Sequence, residues 1–127
     1  MKLGTLLSVF CVLVVTSCSS YYQEHVVLLE PKEFTEKTAD TSTQLIDVRT
    51  AKEFQEGAIP GAINIDLNDD HFNQKINKLD KSKPVYVYCR TGVRSKEAAI
   101  LIAEVGFDSV YELSGGYKGW KHKNTDN

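Results

Sequence analysis

Val85-Tyr86-Val87-Tyr88-Cys89-Arg90-Thr91-Gly92-Val93-Arg94-Ser95 changes character twice within a short span. Val85 to Tyr88 follows Pro84 with uncharged, β-prone side chains and reads as the strongest strand in the chain. Cys89 to Gly92 suits a tight loop, and Arg94 opens a predicted helix that reaches about Val105 and stops at Gly106. The same alternation continues outward in both directions. Upstream, strands are predicted at Val26 to Leu29, Gln44 to Val48 and Ala62 to Ile65. Between them, helices are predicted from Pro31 to about Thr38, from Ala51 to Glu56 with a stop at Gly57, and from Asp70 to Leu79. Phe72, Ile76 and Leu79 make one apolar stripe on the last of these. Downstream, Val110 to Leu113 is a final strand and Tyr117 to Lys121 a last turn of helix. Strands alternating with helices imply parallel pairing with helices covering the sheet, so the fold class is α/β. In such sheets the ligand site lies beyond the carboxyl ends of the strands, where Cys89 falls.

Composition narrows the function. A chain of 127 residues, 42% hydrophobic, has room for one domain core. Its 15 basic and 17 acidic side chains give no broad basic face, which argues against nucleic acid as a partner. Three scattered cysteines are too few for a disulfide scaffold or an all-cysteine zinc site. His25, His71 and His122 lack the spacing and acidic company of metal ligands and read as surface residues, so no metal and no cofactor is expected. Asp69-Asp70 reads as an N-cap for the helix that follows, not as an acid–base pair.

Residues 1–17 carry one charged side chain, Lys2, and then Leu3 to Val15, an apolar run broken only by Gly4, Thr5 and Ser8. The run is too short to span a bilayer comfortably, which takes about 20 residues, and has the layout of an export signal. Val15-Thr16-Ser17-Cys18 resembles the lipobox of bacterial lipoproteins, an aliphatic residue and two small ones before the cysteine that is acylated. That resemblance implies a signal peptide at 1–17 and lipid on Cys18, with Cys11 discarded, and hence a membrane-anchored protein facing the periplasm or cell exterior. Residues 18–24 then read as a lipidated polar tether, 25–121 as the folded domain and 122–127 as a fraying polar tail.

Cys89 carries the chemistry. Successive backbone N–H groups in a loop that opens a helix converge into an anion cradle. A thiolate there is stabilised by those dipoles and by Arg94, so the Cys89 pKa should fall below that of a free thiol. An inert, buried cysteine would need neither Gly92 nor two arginines at a strand-to-helix junction.

Three stretches in order resemble the rhodanese family across nearly the whole domain. They are Leu45 to Arg49 followed by Glu53-Phe54 and Gly57 to Ile65; Val85 to Ser95; and Leu113-Ser114-Gly115-Gly116-Tyr117-Lys118-Gly119-Trp120. The resemblance implies a rhodanese-like central parallel sheet of about five strands with helices on both faces. It also implies sulfurtransferase chemistry. Cys89 would take sulfane sulfur from a small anion such as thiosulfate, hold it as a persulfide, and pass it to cyanide, a thiol or a redox protein. Catalysis is assigned to Cys89, the substrate cradle to Arg90, Thr91, Gly92, Val93 and Arg94, and supporting roles to Ser95 and to Asp47 at the site floor. Arg49 and Glu53 are expected to form a structural pair. Tyr117 and Trp120 are expected to cover the sheet edge, with Gly115-Gly116 able to bring their loop near the site. Many family members have His where this chain has Ala58, so no role of an imidazole carries over.

The nearest enzymatic rival is the tyrosine phosphatase loop, which places five residues between Cys and Arg. Here four residues separate Cys89 from Arg94, a smaller cradle suited to one sulfur atom. The other alternative is a non-turnover module that carries persulfide or binds a redox partner. With Cys18 acylated, Cys89 would be the single free thiol, and turnover would finish on an external acceptor.

Overall fold

A computed structural model describes residues 19–125. Helical residues 19–25 form α1, followed by β1 (Val26–Leu29), α2 (Pro31–Lys37), β2 (Gln44–Asp47), α3 (Ala51–Gln55) and β3 (Ile63–Asn64). Then come α4 (Phe72–Ile76), β4 (Val85–Tyr88), α5 (Val93–Glu104), β5 (Val110–Leu113) and α6 (Gly116–Thr125). The strands form one sheet in the order β1-β5-β4-β2-β3, with every neighbouring pair parallel. β4 is central, which accounts for its unbroken burial and its uniformly uncharged sequence.

Alternation along β4 divides the core. Val85, Val87 and Cys89 join Ile46, Val110 and the inner residues of α4 and α5 on one face. Tyr86 and Tyr88 join Leu29, Phe34, Leu45 and Leu113 on the other, with Tyr117 and Trp120 packed against them. α5 turns Ala98, Ala99 and Ala103 toward the sheet, and these small side chains let the helix lie close to it. Ile102 is completely buried between them, which is worth about 2–3 kcal/mol.

Four segments depart most from those expected. The predicted strand Ala62 to Ile65 narrows to Ile63–Asn64, because β3 is an edge strand with two paired positions, Ile46↔Ile63 and Asp47↔Asn64. The Asn64 side chain then turns back to donate to the carbonyls of Asp47 and Arg49. α4 begins at Phe72, and the Asp69 carboxylate accepts from the His71 N–H and pairs with Lys75 instead of capping the helix. α6 runs through Thr125, so residues 122–125 continue a helix where a frayed tail was expected; the Thr125 hydroxyl donates to the Lys121 carbonyl.

The fourth difference lies at the other end. Residues 19–24, read as a polar tether, belong to α1, whose Tyr21 and Tyr22 pack against the core. Their aromatic surface explains this: burying it returns more than a solvated linker would. The signal peptide expected at residues 1–17 and the acylated Cys18 lie outside the described residues. His25, His71 and His122 are exposed, as expected.

Candidate active site

Cys89 follows the last residue of β4, at the carboxyl end of the central strand, and is 1% exposed. Gly92 caps α5 with φ +105°, a left-handed conformation that a side chain would strain. That turn aims the Gly92 N–H at the Cys89 Sγ, 3.1 Å away. The Cys89 thiol in turn lies 3.4 Å from the Ser95 Oγ, to which it donates. Burial pushes the Cys89 thiol up, but the Ser95 hydroxyl and the backbone N–H groups of Ser95, Gly92 and Thr91 outweigh it and hold the thiol below its ordinary value. The backbone of the loop thus surrounds the sulfur, while the Arg90, Thr91 and Val93 side chains face outward at the rim.

Arg94 does not point a free guanidinium at the sulfur. It is clamped in a two-pronged ion pair with Glu53, at 2.7 Å and 2.8 Å. Glu53 is itself held by the capping box of α3, in which Thr50 and Glu53 exchange side-chain-to-backbone hydrogen bonds. With Arg94 as first cause, the Glu53 carboxyl falls to about 2. The expected Arg49–Glu53 pair is therefore absent: Arg49 binds Asp47 and Glu53 binds Arg94. The physical reason is local: β2 ends at Asp47 and the chain bends at Arg49, so the Arg49 backbone N–H and guanidinium both turn back onto the nearer carboxylate.

The Asp47 carboxylate is buried and accepts from the Arg49 backbone N–H, Nε and Nη2. Arg49 Nη2 also donates to the Gly57 carbonyl at 2.6 Å, and its guanidinium lies 4.3 Å from the centre of the Tyr117 ring. Tyr117 stacks on Trp120, whose indole N–H donates to Thr35. The Tyr117 N–H donates to the Cys89 carbonyl at 2.8 Å, and the Lys118 N–H to that of Arg90 at 3.0 Å. Gly115-Gly116 thus brings α6 directly onto the active loop. A Cβ on Gly116 would lie 2.5 Å from the backbone carbonyl of Arg90. Arg49, Arg90, Lys118 and Lys121 line an adjacent cleft of ≈ 320 Å³, together with Glu53 and Glu56.

Glu112 belongs to the site although the sequence does not single it out. Glu112, 2% exposed, accepts a 2.7 Å hydrogen bond from the Ser95 hydroxyl beneath Cys89. The signal was available: a charge two residues after Val110 in a strand of a parallel sheet has no route to water.

Comparison with known proteins agrees with this geometry. The Rhodanese-like domain family matches residues 30–123. A thiosulfate sulfurtransferase, GlpE, of Shewanella oneidensis is 35% identical over 96 residues, covering 76% of this chain and 93% of that protein. The uncharacterized protein YqhL of Bacillus subtilis is 38% identical over 119 residues, covering 92% and 91%. Among solved structures, a rhodanese-like domain protein from Staphylococcus aureus superposes with a TM-score of 0.65 at 27% identity, covering 74% of this chain and 90% of that one. With the match extending from α2 into α6 and the parallel sheet presenting Cys89 at its centre, this chain belongs to the rhodanese-like domain family of sulfurtransferase relatives.

Proposed function

We propose that this protein is an exported, lipid-anchored sulfurtransferase that moves sulfane sulfur from a small anion such as thiosulfate to a thiophilic acceptor through a persulfide on Cys89. The observation that carries the reading is the Cys89 sulfur in its loop, with the Gly92 N–H on it and its pKa held down against burial. The thiolate attacks the outer sulfur of the donor. A new S–S bond forms at Sγ, the S–S bond within thiosulfate breaks, and sulfite leaves with the electron pair. The N–H groups around Sγ stabilise the persulfide anion left behind. Cyanide or a thiol then attacks the outer sulfur, and the electron pair of the broken S–S bond returns to Sγ. Two half-reactions through a covalent intermediate give ping-pong kinetics. Arg90, with Lys118 and Lys121 in the cleft beside it, draws the anionic donor toward the loop.

The test is thiosulfate-dependent cyanolysis by the full chain in detergent, beside Cys89→Ser. Thiocyanate production is expected from the wild type, with loss of at least about a thousandfold in the variant, as for removal of a covalent nucleophile. Equal rates in the two proteins would remove the enzyme reading. A sulfur sheltered to 1% exposure also suits a carrier that holds persulfide without rapid turnover. A carrier would load Cys89 and release sulfur to a partner protein, not to cyanide.

The anchoring part of the reading rests on Lys2, the apolar run and Val15-Thr16-Ser17-Cys18. In this reading the lipid joins the chain immediately before α1, which packs on the domain, so the sheet is held close to the bilayer. Cys18→Ala is expected to abolish acylation and release the protein from membranes. An acylated, membrane-bound Cys18→Ala protein would contradict the anchor.

A further inference from the structure

Glu112 is a carboxylate almost wholly removed from solvent. It sits on β5 facing the same side as Val110, against a core of aliphatic and aromatic side chains that also holds Cys89. Burying it there costs free energy unless its oxygens are satisfied. Both are: Oε1 accepts from the Ser95 hydroxyl at 2.7 Å, and Oε2 accepts from the Tyr22 hydroxyl on α1. Ser95 Oγ is also the acceptor for the Cys89 thiol at 3.4 Å. Sγ, Ser95 Oγ and Glu112 Oε1 therefore form a continuous chain of hydrogen bonds leading away from the open side of the loop. Gly92 lies over it, with the place a Cβ would occupy 4.0 Å from Glu112 Oε1.

We propose that Glu112 is the proton acceptor for Cys89, reached through Ser95. The proposal rests on Cys89 being the nucleophile, and it adds a route for the proton. A hydroxyl has one hydrogen and two lone pairs, so Ser95 can face only one way at a time. While Cys89 is a thiol, Sγ–H donates to Ser95 and Ser95 donates to the Glu112 carboxylate. When the Sγ–H bond breaks, its proton passes to Ser95 Oγ and the original hydroxyl proton passes to Oε1. Ser95 now donates to the thiolate, and the neutral Glu112 carboxylic acid donates to Ser95. Negative charge has moved from Glu112 to Sγ with no net change in the buried site.

The charged and titratable groups around the pair suit this exchange. Tyr22 from α1 donates to Glu112, and Lys96 from α5 places its ammonium 5.0 Å from the Tyr22 ring centre. Arg94, near Cys89, is engaged by Glu53. Burial raises the Glu112 carboxyl against the hydrogen bonds from Tyr22 and Ser95 and the charge of Lys96, while the loop lowers Cys89, so the two acidities converge. A proton moves readily between groups of matched acidity.

The experiment is the pH dependence of carboxamidomethylation of Cys89 by iodoacetamide, read by peptide mass on the lipid-anchored protein in detergent, with added glutathione as a reference thiol. It needs neither sulfur donor nor acceptor, so a failure of cyanolysis leaves it readable. Two groups sharing one proton titrate in two steps. The wild-type rate is therefore expected to rise in two steps separated by a shoulder. Glu112→Gln cannot accept a proton, so its rate should rise in one step, falling about tenfold per pH unit below the midpoint. Tyr22→Phe removes a hydrogen bond to the ionised carboxylate and should move the lower step to higher pH. Identical single-step profiles for wild type and Glu112→Gln would overturn the proposal. Should Glu112→Gln fail to fold, an unmoved lower step in Tyr22→Phe would overturn it equally.

Discussion

Cys89 owes its acidity more to backbone than to neighbouring charge. Arg94 was expected to supply the positive field, yet its guanidinium is committed to Glu53, and the groups that touch the sulfur are Ser95 and loop N–H groups. The shape of that loop depends on one glycine that belongs to another element. Gly116 has φ +61°, and a Cβ there would meet the Arg90 carbonyl carbon and oxygen at 2.5 Å and the Thr91 nitrogen at 2.6 Å, all backbone atoms. Gly116→Ala is therefore expected to cost about 2–3 kcal/mol and to slow alkylation of Cys89, because backbone strain and a displaced loop arrive together. Urea denaturation and the alkylation rate check both, and a stable variant with unchanged Cys89 reactivity would show that the loop holds its shape alone. At this scale the place of Cys89, at the end of the central strand with Gly92 and Ser95 beside it, was legible in the sequence, and its other partners were not. Cys89, Gly92 and Ser95 are local to one strand–loop–helix turn. Glu112 and Tyr22 reach the site only through the sheet order and the docking of α1, which no local pattern encodes.

α3 acts as a lever between the second strand and the active loop. Its capping box fixes Glu53, Glu53 fixes Arg94, and Arg94 lies in the first turn of α5 directly after the cysteine loop. Glu53 is held at about 2, below its ordinary 4.5, so its interactions stabilise the folded protein fully above the ordinary value. That contribution is lost as pH falls from about 4.5 through about 2. Glu53→Gln should accordingly flatten the acid limb of stability against pH, measured by urea denaturation over that window, and should loosen the start of α5. An acid limb equal to that of the wild type would mean the ion pair contributes nothing. β4 and α5, marked by an uncharged β-prone run and by Gly106 as a stop, fell within a residue of where they were expected, whereas the helix read from the Phe72, Ile76 and Leu79 stripe is shorter than Asp70 to Leu79. Elements that depend on edges or aromatics departed too: β3 is cut short by its position at the sheet edge, and α1 is held by two tyrosines that have no partners in a linear reading.

The whole molecule is a parallel sheet whose two faces have different tasks. One face carries Tyr86 and Tyr88 against Phe34, with Tyr117 and Trp120 closing over them, and through the Tyr117 N–H it fixes the carbonyl side of the cysteine. The other holds α5, Glu112 and α1, and it governs the proton of the same residue. Cys89 sits where these two sets of contacts meet, at the end of the central strand. This is why the α/β class could be read from alternation alone, while the wiring of the site required the strands to be placed side by side. If Cys89 carries sulfur, brief exposure of the full chain to thiosulfate should add one sulfur atom to the Cys89 peptide alone, seen by peptide mass spectrometry, reversed by cyanide and absent in Cys89→Ser. An unmodified Cys89 under saturating donor would contradict that role.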